Sequence, residues 1–460
     1  MPLNTQGIGS DANQIQDKFF YNRTIPCLIH RKPDDMNKEM SQVLIQTVPN
    51  TAMGNLLRRY WVPVVSSQEV ALPDGPQVKT QIMGEHLVVF RDTQGEVGVV
   101  SEFCSHRGVS LFFARNEEGG LRCAYHGLKF DRHGKCIEVP SAPEMCAKMN
   151  IKAYPCVEQA GLVWAYMGPP EFQPAPPELE WSTLPARQVF ISKREQECNF
   201  LQAMEGGIDT AHVSYVHRFE VDRDPMHVGT EALKYIKADG NVIFTIEKTD
   251  FGLTLFGRRN ADDDHYYWRI TQFIFPWYTL IPPFGHHALG GHLWVPKDDH
   301  HCWAWSINFH HDKALSPQEV ADMGAGKGIH VQYEAPGSFR PKQNMDNDYL
   351  IDRVAQKNKE TFSGVFGISM QDASLQESMG PIQNHDDEKL LPTDRAIVMA
   401  RRMLYEAAMN LQDNPHALPA VEPKSHHVRA AGVILPKSVD PLSWSKDNLA
   451  GGLDRPLYTI

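Results

Sequence analysis

CSHRGVSLFFARNEEGGLRCAYHG, residues 104 to 127, holds two short pairs of soft ligands in stretches that read as loops. Cys104-x-His106 closes on Gly108, and after sixteen intervening residues Cys123-x2-His126 closes on Gly127. A single cysteine would carry little weight, because free Cys is often buried simply as a small apolar side chain. Two thiolates and two imidazoles together are a complete ligand set, suited to structural zinc or to an iron–sulfur cluster. Order along the chain weighs between them. A two-Cys, two-His zinc finger pairs Cys with Cys and His with His, whereas here each half supplies one of each. Such halves let two loops clamp a [2Fe–2S] cluster, cysteines on one iron and histidines on the other. The two glycines suit tight turns with close backbone approach. On these four residues alone, zinc stays open as the alternative.

Outward from these loops, residues 56 to 166 are short apolar runs such as HLVVF (86 to 90) and GLVWAYMG (161 to 168), broken by Gly, Asp and Pro turns. That pattern predicts an all-β stretch with the Cys/His pairs in its loops. PPEFQPAPPELEW, 169 to 181, is too rich in proline for a helix or a central strand and reads as a linker. Beyond it, a helical-looking NFLQAMEGGIDTAHVSYVH (199 to 217) mixes with strand-like NVIFTIEK (241 to 248) and YYWRITQFIF (266 to 275), which predicts an α+β domain. Thr393 is positioned to cap a helix carrying Ala396, Ala400, Met403, Leu404, Ala407 and Leu411 on one face. Residues 1 to 38 are polar and aperiodic and read as an N-terminal extension.

Composition narrows the class. The chain has 460 residues, 42% of them hydrophobic, enough for a large core divided among domains. A formal charge of −11 without any Lys/Arg block argues against a nucleic-acid surface. No apolar run approaches the roughly 20 residues of a membrane span, and the first forty residues hold no secretory apolar core. Eight cysteines are too sparse for a disulfide scaffold. A cytoplasmic protein with metal-bound thiolates is expected, without a nucleic-acid or membrane partner.

A second constellation lies in Asp209-x2-His212-x4-His217. Three residues apart on a helix, Asp209 and His212 would share a face, so that the carboxylate could orient the imidazole as a metal ligand. His217 would then point elsewhere, and both histidines can reach one ion only if the helix ends or distorts between them. A non-haem iron that activates O2 takes two His and one carboxylate, with its other positions open.

LLRRYWVPV (56 to 64), CSHRG, CAYHGLKFD, ECNFLQAMEGGIDTAH (197 to 212) and QDASLQESMGPI (371 to 382) make the chain resemble the large (alpha) subunits of Rieske non-haem iron oxygenases, of the phthalate dioxygenase type. Neither CSHRGVS nor CAYHGLK carries the extra cysteine of respiratory Rieske proteins, so the resemblance is to the oxygenase branch. It implies an N-terminal all-β Rieske [2Fe-2S] domain at 39–168, a Pro-rich linker at 169–185, and at 186–460 a helix-grip (START/SRPBCC-like) catalytic domain with an antiparallel sheet. It also implies that Cys104, His106, Cys123 and His126 hold the cluster, and that His212, His217 and Asp372 hold a mononuclear Fe(II). Asp209 becomes the catalytic carboxylate linking the two centres across the interface of a homotrimer or stacked-trimer hexamer.

The same resemblance implies a separate flavin/iron–sulfur reductase that supplies NAD(P)H electrons, O2 as co-substrate, and hydroxylation of an aromatic compound. Phthalate-type relatives act on aromatic carboxylates, which implies ring dihydroxylation; O-demethylation and monohydroxylation use the same metals, and a Rieske electron carrier without oxygenase activity is the distant alternative. A planar carboxylate is best met by arginine, and Arg218, Arg259 and Arg269 are the candidates, with Tyr215, Phe273 and Trp277 as candidate pocket aromatics. IQNHDDEKLL (382 to 391) departs from the aspartate-plus-basic pattern of these relatives.

Overall fold

Short Val-, Ile- and aromatic-rich runs separated by turns give short strands that pair with their chain neighbours. In the computed structural model, which describes residues 38–452 and 455–460, the chain from Trp61 to Tyr166 forms three antiparallel sheets. One joins Trp61–Ser66, Leu162–Tyr166 and Cys156–Gln159; the other two are four-stranded and run from Val78–Ile82 to Ala153–Tyr154 and from Arg115–Glu117 to Cys136–Glu138. Cys104 follows the strand Val97–Ser101, and Cys123 sits in the turn between Gly120–Arg122 and Lys129–Phe130. The expected N-terminal extension, but for Lys38, and Cys27 lie outside the described residues.

From 169 to 188 the chain makes only single 3-10 turns, as its prolines require. It then enters an eight-stranded antiparallel sheet. Neighbours run Val189–Gln196, Cys302–Phe309, Leu289–Pro296, Tyr278–Ile281, His265–Ile274, Gly252–Asn260 and Ile243–Lys248. The long strand His265–Ile274 shares one edge between two partners: Ala431–Pro436 pairs with residues 265–270, and Tyr278–Leu280 with residues 272–274. Because side chains alternate along strands, the registers place Arg194, His292, Trp294, Thr279, Thr271 and Arg269 on one face.

The helix Phe200–Ile208 lies on that face. Gly207 permits the approach, since a Cβ there would sit 2.2 Å from the indole of Trp294. A single hydrophobic core runs from the first sheet (Trp61, Trp164, Tyr166) through Trp181 to Phe200 and Trp294. Lys193, on the outer face of its strand, is buried beneath Phe339 at 4.1 Å and paired with Glu69 at 2.8 Å, which fastens the two halves together. A smaller core of Phe90, Leu111, Leu121 and Phe130 supports the Cys/His loops.

The helix Arg395–Asp413 buries Ala396, Ala400, Met403, Leu404 and Ala407, the face its periodicity predicts, with Leu411 half-buried. Thr393 does not cap it. Residues Pro392–Asp394 form a 3-10 turn, and Asp394, at the cap position, accepts from the Leu391 N–H at 2.6 Å. Among the described residues no helix is long and apolar enough to cross a membrane.

Candidate metal centres and active-site cavity

The two Cys/His loops are built alike. The Cys104 N–H donates to the Val109 carbonyl at 2.9 Å and Gly108 N–H returns to the Cys104 carbonyl at 2.9 Å; Cys123 N–H donates to Leu128 at 2.7 Å and Gly127 N–H to Cys123 at 3.0 Å. Each turn closes through a glycine in the left-handed region, φ +70° at Gly108 and +75° at Gly127, where a side chain would be strained. Both cysteines are buried, while His106 and His126 are exposed at the loop tips. The two imidazoles meet with their Nδ1 atoms 3.1 Å apart. Burial, with the Cys123 thiol against it, pushes the Cys104 thiol up to about 11. Buried beside a second thiol, Cys104 resists ionisation until a cation draws off the charge.

The second constellation assembles from three pieces of chain. The helix Phe200–Ile208 ends at Asp209, whose N–H still donates to the Glu205 carbonyl at 3.1 Å, but whose ψ of 105° turns the chain out. His212 opens the 3-10 turn His212–Ser214, and His217 follows it. Asp209 and His212 therefore share a turn beyond the helix end and no helix face, which corrects the expectation from their spacing. The Asp209 carboxylate lies 3.4 Å from His212 Nδ1 and accepts the Ala211 N–H at 2.7 Å. Asp372 enters from the helix Ile368–Glu377. Its Oδ1 is 3.1 Å from His217 Nε2 and 3.5 Å from His212 Nε2. One ligand atom from each of His212, His217 and Asp372 lies within 4.8 Å of the others.

Charge at this trio is arranged for a cation. Burial works against ionisation of Asp372, yet His217 and His212 beside it, and Arg194 beyond, hold its carboxyl down at about 2. Burial likewise opposes the charge on Asp209, and the His212 contact still draws its pKa below the ordinary value.

The trio borders a cavity of roughly 780 Å³, open mouth included. Its walls include Phe284, Trp294, Ile281 and Ile329, with Arg194, Arg269 and His292 as polar points. Of the three arginines named from the sequence, Arg269 alone lines this cavity. Its Nε donates to Thr210 Oγ1 at 3.0 Å, and its Nη1 is buried without a hydrogen-bond partner among the described residues. Arg259 is a brace instead, donating to the carbonyls of Asp239 and Thr210 and to Ser214 Oγ, which ties the turn before His212 to the sheet. Arg218 is half-buried and away from the cavity wall.

Among the aromatics, Phe273 and Trp277 belong to the main core and Tyr215 is exposed, so Phe284 and Trp294 replace them. Sequence reading missed Arg194. It is 4% exposed, and its Nε and Nη1 find no partner among the described residues. The two adjacent cations in ISKREQ were the available signal: in a strand one of them had to face inward.

Comparison with known proteins bears directly on this arrangement. Residues 60–155 match the model of the Rieske [2Fe-2S] domain, and residues 165–452 the LigXa C-terminal domain like family. The oxygenase subunit of 3-chlorobenzoate-3,4-dioxygenase from Comamonas testosteroni is 37% identical over 86% of this chain and 95% of its own. The chain belongs to the Rieske non-haem iron oxygenases.

The oxygenase subunit of phthalate 4,5-dioxygenase from Pseudomonas putida is 35% identical to this oxygenase over 83% of the chain and 88% of its own. Dicamba monooxygenase bound to dicamba has the same fold, with a TM-score of 0.54 at 17% identity, over 78% of this chain and 99% of that one. As a member of its family the oxygenase uses a Rieske [2Fe-2S] cluster and a mononuclear iron. The residues fit both groups: two buried thiols opposite two facing imidazoles for the cluster, and two imidazoles with a carboxylate around one point for the iron.

Proposed function

We propose that this oxygenase hydroxylates an aromatic carboxylate, with ring dihydroxylation as its reaction. The observation that carries the reading is the cavity wall: beside the metal-binding trio, buried Arg194 and Arg269 present guanidinium N–H groups without partners among the described residues. A buried cation left unmatched is costly, and a substrate carboxylate supplies the match. Phe284 and Trp294 give the ring an apolar wall.

In this reading Cys104 and Cys123 hold one iron of the cluster and His106 and His126 the other, while His212, His217 and Asp372 hold the mononuclear iron. The bound iron supplies the activation of O2. The protein's own groups do the rest: the arginines fix the carboxylate, the apolar wall excludes water, and Asp209 orients His212 through Nδ1. Asp209 also lines a second cavity that borders His212 and Asp372 together with Leu375, Met379 and Glu388. That face is the place for the cluster tips of a neighbouring subunit in a homotrimer or stacked hexamer; exposed Phe113 and Tyr125 beside the cluster loops, and exposed Leu375 and Met379 beside Asp209, support the docking. A flavin/iron–sulfur reductase in the cytoplasm delivers the NAD(P)H electrons. The division into a Rieske domain at 39–168, a linker at 169–185 and a catalytic domain at 186–460 belongs to the same proposal.

Iron-replete protein with such a reductase, NADH and O2, challenged with benzoates, phthalates and methoxybenzoates, tests the reading by product mass. Dihydroxylation adds both atoms of O2 and two hydrogens to the ring as one NADH is oxidised. Replacement of a methoxyl by a hydroxyl, with formaldehyde and water released, would make the protein an O-demethylase, the activity named for relatives in Sphingobium and Pseudomonas.

A further inference from the structure

His212 and His217 are backed by different groups. Behind His212 stands a carboxylate; behind His217 stands a neutral amide, Gln371, fully buried, with its Oε1 2.8 Å from His217 Nδ1. An amide can face either way, and which end meets the histidine decides where the ring carries its proton. The surroundings of Gln371 settle the matter. Its Nε2 lies 3.0 Å from the Val365 carbonyl and 3.2 Å from Thr361 Oγ1. Val365 O can only accept, and the Thr361 hydroxyl spends its single proton on that same carbonyl at 2.8 Å. Both neighbours are therefore acceptors towards Gln371, and only the NH2 end satisfies them. The flipped amide would set oxygen against oxygen on one side in a buried site.

We infer that Gln371 is the positioning residue that fixes the proton of His217 on Nδ1 and so keeps Nε2 as the atom offered to the metal. With oxygen forced towards the ring, Nδ1 must donate. The neutral tautomer with its hydrogen on Nε2, the one neutral form unable to ligate through the nitrogen that faces Asp372, is excluded. Metal capture then displaces at most the Nε2 proton and needs no tautomer exchange. Asp372, the next residue along, comes from the same helix start, so one backbone segment supplies a ligand and the orientation of another. The segment 361–365 thereby becomes part of the metal site without touching it. The inference rests on the reading of His217 as an iron ligand.

Metal affinity of the mononuclear site tests it. Iron is removed from that site with the cluster left in place, and cobalt(II) is titrated back against a chelator, followed by its ligand-field bands, with cluster absorbance reporting the fold. Gln371→Met keeps the shape and removes the acceptor; cobalt affinity should fall about 10- to 100-fold, the usual cost of losing a partner behind a ligating histidine. Gln371→Glu can meet both demands when protonated, its hydroxyl donating to Val365 O and its carbonyl oxygen accepting from Nδ1, and should stay within about threefold of the wild type. Unchanged affinity in Gln371→Met, or an equal loss in both variants with the cluster intact, would overturn the inference. Should Gln371→Met fail to hold its cluster, the Gln371→Glu result alone decides, since a tenfold loss there contradicts the proton placement. A wild-type protein that binds no cobalt, or a His217→Ala variant that binds it normally, would instead sink the proposed iron site.

Discussion

Arg194→Leu should make the substrate-free protein more stable and its carboxylate substrate weaker, two effects of opposite sign from one change. Arg194 is 4% exposed, and its Nε and Nη1 have no partner among the described residues. Its Nη2 alone donates to a neighbour, Gln196 Oε1 at 3.0 Å. Two unmet buried donors at about 1–3 kcal/mol each cost about 2–6 kcal/mol, and the bond lost to Gln196 returns about 1–2 kcal/mol, so the balance favours leucine by about 0–5 kcal/mol, on the order of 2–3 in the middle of that range. With an unfolding entropy near 2 cal/mol/K per residue, a chain of this size gains about 1 °C in Tm per kcal/mol.

Binding goes the other way. A carboxylate that takes even one of the two free N–H groups gains about 1.5–3 kcal/mol from the charge-assisted bond, so the variant should lose about 10- to 100-fold in affinity. Calorimetry of the cluster-loaded protein reads the first effect. Steady-state KM for a benzoate, beside the corresponding neutral benzamide, reads the second, because only the anion should suffer. A Tm that falls by several degrees with KM unaltered would refute the reasoning and make Arg194 a structural counter-charge to Asp372.

Asp209→Asn should weaken the mononuclear iron as well as turnover. The amide has one oxygen for two donors, the Ala211 N–H and His212 Nδ1, so one contact is lost whichever way it turns; iron per cluster, measured by iron-to-sulfide ratio, should fall well below that of the wild type. Gly207→Ala would drive a methyl group into Trp294 and lift the helix that ends at Asp209; a cost of about 1–3 kcal/mol is expected, with loss of mononuclear iron and retention of the cluster spectrum.

Acid sensitivity should trace partly to His330, held between Ser192 Oγ and Asn308 Oδ1 and pushed by burial down to about 3. The unfolded chain takes up a proton near 6.5 while the folded one does not, so this stability is full above pH 6.5 and drains as pH falls towards 3. The urea midpoint of His330→Gln should decline less steeply than that of the wild type over that window; parallel slopes would exclude the assignment.

Local chemistry was legible in the sequence wherever neighbours along the chain also act together. Cys104, His106, Cys123 and His126 come in short loops that close on their own backbone, so their spacing already carries their geometry. The helix after Pro392 shows its buried face because a 3.6-residue period is a property of the chain itself. Contacts made between distant segments were hidden. No periodicity marks Asp372, whose helix buries nearly all of its residues, and only family resemblance located it. Arg194 and Arg259 look alike in a string of letters; their roles depend on which strand face points at the cavity and which meets the turn at Thr210. The break at Asp209 was foreseeable as a requirement, since a regular helix could not bring both histidines to one point, but the place of the break was not.

The matched loops at Cys104 and Cys123 leave three side chains, Arg107, Ala124 and Tyr125, outside the backbone frame on the outer surface. Arg107 already leans over the Tyr125 ring, with 5.9 Å between guanidinium carbon and ring centre. Because the turns hold without them, these positions can vary the polarity and hydrogen bonding felt by the cluster while the ligands stay put. Reduction potential thus becomes a dial mounted apart from the oxidation chamber. A lineage, or an engineer, can turn it to suit a different electron donor and leave the choice of substrate untouched.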